Sequence, residues 1–152
     1  MRTLAAALQS VCVTLWVGGL WTIGFVVAPT LFARVPDRVL AGLIAGRLFT
    51  LIAWIGVACA VYLLAYRIAR AGAACLKQGF FWVVLLMLGL TLAGELGVQP
   101  VLENLRLQAL PREVMESVFR DRFAAWHGVA SALYVIVSLL GLALAVLHGR
   151  GR

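Results

Sequence analysis

Acidic residues are scarce in this chain, six among 152, and the usual metal-ligating types are scarcer, with three cysteines and two histidines. Each shortage removes a class of function. Cys12, Cys59 and Cys75 stand apart, with no CxxC and no Cys/His spacing, so they read as buried packing residues and not as a metal centre or disulfide framework. No glycine-rich nucleotide loop, nucleophile triad or paired-carboxylate metal motif occurs, which leaves hydrolase and kinase chemistry without support. Charged residues of both signs together make up only 12% of the chain.

What fills the remainder is apolar. Hydrophobic residues reach 64% and the mean hydropathy is +1.03, beyond the range of a soluble domain of this size. Four long stretches stand out, Leu4 to Ala33, Val39 to Tyr66, Gln78 to Leu102 and Phe123 to Leu147. Each meets the roughly 20 residues that a helix needs to cross hydrocarbon about 30 Å thick. The first is too long for a secretory core and lacks a small-residue cleavage site at its end, so it reads as a retained span. The expectation is therefore an all-α, integral membrane four-helix bundle, a single up-down-up-down domain over residues 1–152. Its loops are short, with a short amphipathic surface helix over Pro111 to Phe119.

Four spans put both termini and the 67–77 loop on one side, here called the terminal side, and the other two connections on the far side. The formal net charge of +7 lies in these connections and reads as topology and lipid contact, with no nucleic-acid role. The 67–77 loop is short and purely basic, which favours cytoplasmic termini, and a bacterial inner membrane is the expected location.

Polar residues inside the spans are few enough to name. The third carries Gly94-Glu95-Leu96-Gly97-Val98-Gln99-Pro100, a carboxylate and an amide one turn apart, followed by a proline that frees the carbonyl four residues back. The second carries Arg47, which comes out at nearly the depth of Glu95 and reads as its partner. On the fourth, His127, Ser131, Tyr134 and Ser138 follow the i, i+4, i+7, i+11 rule and draw one polar stripe. Ser10, Thr14, Gly18 and Thr22 in the first span, and Gly42, Gly46 and Thr50 in the second, have the small-residue spacing of helix packing seams. Trp16 and Trp21 read as fillers between helices, and Tyr62 and Tyr66 as interfacial anchors.

Leu15-Trp16-Val17-Gly18-Gly19 with Phe25 and Pro29, Gly46-Arg47-Leu48-Phe49, Gln99-Pro100 and Phe123-xxx-His127-Gly128-xx-Ser131 together resemble the transmembrane protein 205-like family, over nearly the whole chain. That family is similar in layout to CopD-type copper-resistance proteins and to the HemJ-type membrane protoporphyrinogen oxidase. The resemblance implies a fold and no assigned reaction. The chain has no histidine in its first span, and Tyr134 stands where the resemblance leads one to expect asparagine.

Three readings of function follow. The first is a non-enzymatic membrane protein with a polar intramembrane site made by Arg47, Glu95, Gln99, His127 and Ser131, binding or transporting a small solute or ion. A homo-oligomer would then form through the Gly42/Gly46 face. The second is a haem- or copper-linked redox protein using His127. The third is a structural subunit of a larger membrane complex, its polar groups holding helices in register.

Overall fold

The computed structural model describes residues 2–109 and 118–150, so the expected surface helix lies mostly outside the described residues. Four helices are long and apolar enough to cross a membrane: α1 Leu4–Arg34, α2 Arg38–Lys77, α3 Gly79–Ala109 and α4 Arg120–Arg150. Three of them have 31 residues, or about 46 Å at 1.5 Å per residue, enough for hydrocarbon and headgroups together. The helices thus outrun the apolar stretches at several ends. One of these extensions is in α3, which continues beyond Leu102 because Val98, Leu102, Leu105 and Ala109 keep one buried face in step.

Local chemistry sets the corners. Asp37 caps α2, its carboxylate accepting from the backbone N–H groups of Val39 at 2.9 Å and Leu40 at 3.0 Å. The long α-helical run of α2 stops at Gly72, whose φ of 50° suits glycine, and a 3-10 turn over Gly72–Lys77 leads into α3. Tyr62 donates to the Ala5 carbonyl at 3.1 Å, while Arg70 meets the Tyr66 ring and hydroxyl, anchoring the terminal side.

The helices form a ring in which α1 and α3 each pack on α2 and α4. The terminal half is filled. Trp16, Leu63, Val84, Met87 and Leu144 have 0% of their surface exposed, and a methyl group added at Gly56 would strike the Trp16 indole. Trp21 also lies between helices, donating to the Ser138 carbonyl at 3.2 Å. Both tryptophans fill gaps as expected. The small-residue seam of α1 does not close inward, however. Thr14, Gly18 and Thr22 are exposed, and the buried line is instead Gln9, Val13, Trp16 and Leu20. Large side chains fill this interior better than close backbone approach would.

Candidate functional site

Two helices depart from α-helical winding at corresponding places. π turns cover Ile23–Val27 in α1 and Gly94–Val98 in α3, and each is followed by an X-Pro pair, Ala28-Pro29 and Gln99-Pro100. Both turns and both prolines repeat at the same spacing of 71 residues, from Ile23 to Gly94 and from Pro29 to Pro100. Proline supplies no N–H and crowds the carbonyl four residues back, and a π turn relieves both problems. The Ala28 N–H reaches the Ile23 carbonyl and the Gln99 N–H the Gly94 carbonyl, five residues apart in each case.

Beyond these turns the bundle is hollow. A cavity of about 440 Å³, walled by all four helices, occupies the far half, and both π turns line it. Tyr134 forms its floor. The Tyr134 hydroxyl donates to the Leu20 carbonyl at 2.5 Å and lies beside the Gly24 backbone, the two places that an unbroken α-helix would join. The absent side chain of Gly24 is a steric necessity here, because a methyl group would overlap the Tyr134 ring. Phe49 meets that ring edge-on at 5.0 Å.

Glu95, Gln99, His127 and Ser131 all line this cavity, so four of the five residues anticipated from sequence converge. Glu95 has neutral polar neighbours, Thr50 on the adjoining α2 and Gln99 one turn along its own helix. It sits roughly 21 Å from the far end of α3, near the bilayer midplane, where an unpartnered carboxylate would be costly. His127 lies about 10 Å inside the far end of α4 and stacks on Phe123, with ring centroids 5.6 Å apart and planes 10° apart.

Arg47 is the exception. It is exposed and off the cavity wall, so it is not the partner of Glu95. Two physical causes explain this. Ala45, Gly46, Phe49, Ile52 and Ala53 set the inward face of α2, and at about 100° per residue position 47 falls on nearly the opposite side. The extension of α3 also places Glu95 deeper, roughly 21 Å from the far end against about 14 Å for Arg47.

The arginine that does line the cavity is Arg106. Its guanidinium lies over the Phe123 ring at 5.4 Å, is the charge felt by His127, and fills the space that a methyl group on Gly46 would need, with Nη1 at 2.9 Å from that position. The Gly42/Gly46 face is therefore used within the chain, against Phe32 and Arg106. A signal for Arg106 was present: Glu95, Gln99, Leu102 and Arg106 follow the i, i+4, i+7, i+11 pattern that marks the stripe on α4. It lay past the assumed end of the span.

Among the described residues, no three of His, Cys, Asp and Glu come together so as to hold a metal ion. The charged neighbour of His127 is the Arg106 guanidinium, which is unfavourable to an added cation there. What the arrangement offers is a mostly apolar chamber with a cation near one membrane face and uncharged or acidic hydrogen-bonding groups deeper in.

The profile of a family described as "Domain of unknown function (DUF4149)" matches residues 11–111, which include the Glu95–Gln99 turn and Arg106 but stop short of His127 and Tyr134. No curated protein and no solved structure matches the chain.

Proposed function

We propose, for a chain that belongs to the DUF4149 family of domains of unknown function, that this integral membrane protein is a binding protein for a small amphipathic molecule held in the far half of its bundle. The observation that carries this reading is the cavity of about 440 Å³ between the four spans. Its size lies within the roughly 300–1,000 Å³ of small-molecule sites, and its polar groups are few and convergent. Glu95, Gln99, Arg106, His127 and Ser131 are the polar determinants, and Phe25, Phe49 and Tyr134 supply apolar and aromatic wall. The resemblance to the transmembrane protein 205-like family agrees with a membrane fold and adds no reaction. The basic 67–77 loop supports placing the terminal side in the cytoplasm.

The test is native mass spectrometry of the detergent-purified protein with monoolein, a neutral single-chain amphiphile. The expected result is one retained copy per chain, lost when Ala130→Phe fills the cavity while helicity and elution volume stay unchanged. Equal retention by the filled and unfilled proteins would place the amphiphile elsewhere and end the proposal.

A further inference from the structure

The exposed residues of the cavity lining all lie on α1 and α4. The far segment of α1, Ala28–Arg34, packs on α2, while the far half of α4 packs on α3. Between α1 and α4 a slot remains, edged by Phe25, Pro29 and Phe32 on one helix and His127, Ser131 and Val135 on the other, all lining the cavity and all exposed. This slot faces sideways, at the level of the acyl chains of one leaflet. Its rim is apolar apart from His127 and Ser131, as suits contact with hydrocarbon.

Charge completes the picture. Arg106 lies about 5 Å inside the far end of α3, near headgroup level, with the Phe123 ring beneath its guanidinium. Among the described residues Glu103 is the carboxylate that acts on it, one turn back along α3, exposed and outside the cavity lining. Among the described residues no hydrogen-bond acceptor meets the guanidinium, whose planar fork suits a phosphate or carboxylate. Glu95, by contrast, has the neutral polar side chains of Thr50 and Gln99 beside it, so the cationic end of the cavity is the end in want of a partner.

Resting on the binding role proposed above, we infer that the occupant is an anionic phospholipid of the surrounding leaflet. One acyl chain passes through the α1/α4 slot into the cavity, the phosphate lies on Arg106 beside His127, and the second chain stays in the bilayer. The slot removes any need for a lipid to leave the membrane, because the headgroup moves at its own depth while only one chain turns inward.

Native mass spectrometry of the full chain tests this, with dioleoyl-phosphatidylglycerol, dioleoyl-phosphatidylcholine and glycerol 3-phosphate as probes. Phosphatidylglycerol is expected to bind about tenfold more tightly than phosphatidylcholine, the scale of one charge-assisted bidentate contact. Glycerol 3-phosphate, which has the charge without the chain, is expected to give no adduct. Arg106→Gln should erase the preference, Arg106→Lys should keep part of it, and Arg47→Gln, an exposed arginine off the cavity, should change it by less than about twofold. Ser131→Trp, which narrows the slot from an exposed position, should slow lipid exchange.

Equal binding of the two phospholipids, a preference that survives Arg106→Gln in a folded variant, or an adduct with glycerol 3-phosphate alone would overturn the inference. So would a lipid-free dimer that covers the slot. If monoolein still occupies the cavity while the anionic preference is missing, the lipid inference fails and the binding role stands. If neither binds in the cavity, both fall.

Discussion

The two halves of the bundle are made of similar residues and packed differently. In the terminal half Trp16 lies against Gly56 while Val84, Met87 and Leu144 close the centre with 0% exposure. In the far half the same four helices stand around a cavity of about 440 Å³. The change comes at the π turns, where α1 and α3 each reach an X-Pro pair. Lipid tails are as apolar as leucine, so the filled half is held by close packing and not by hydrophobic transfer. Hollowing the far half forfeits that packing, which is costly unless something else fills the space. The comparison therefore separates a half that carries stability from a half that is free to carry a ligand.

The contrast can be tested from its strongest point downward. Met87→Ala, in the filled half, is expected to destabilise the protein by about 3 kcal/mol, because a fully buried side chain leaves a cavity there. Unfolding in mixed micelles measures it, and a loss below about 1 kcal/mol would mean the terminal half is not tightly packed. Gly24→Ala is expected to cost about 2 kcal/mol at the boundary, since the new methyl group meets the Tyr134 ring. Tyr134→Phe should cost about 1 kcal/mol by removing the bond to the Leu20 carbonyl. If that loss disappears when Pro29→Ala restores an N–H to α1, the phenol is compensating for the π turn. Ala130→Phe, in the hollow half, should change stability by less than about 1 kcal/mol, because the ring has space to occupy. A penalty as large as that of Met87→Ala would erase the distinction between the halves.

How much of this was legible beforehand varies with the residue. Glu95 and Gln99 could be identified because a carboxylate and an amide before a proline are conspicuous in an apolar run, and His127 and Ser131 because they share a helical stripe. Arg106 was hidden by an assumption about length. A hydropathy reading ends α3 near Leu102, whereas the helix runs to Ala109 on the strength of its buried face. Arg47 misled for a different reason: sequence gives depth along a helix more readily than direction around it. Pro29 in the first span stands to Ala28 as Pro100 stands to Gln99, yet sequence alone does not mark it as a break in winding. Only the shared π winding makes the two a pair.

The sequence by itself determined the class of the molecule, the number of its membrane-capable helices and which connections share a side. Those depend on apolar length and on the order of segments, both of which are local along the chain. Only the tertiary structure decided which cation meets the cavity, that Tyr134 reaches the first π turn from a helix more than 100 residues away, and that one flank stands open. Each of these depends on the rotation of one helix against another. That rotation is set by packing between spans and by the extra residue in each π turn, neither of which is written in any single segment.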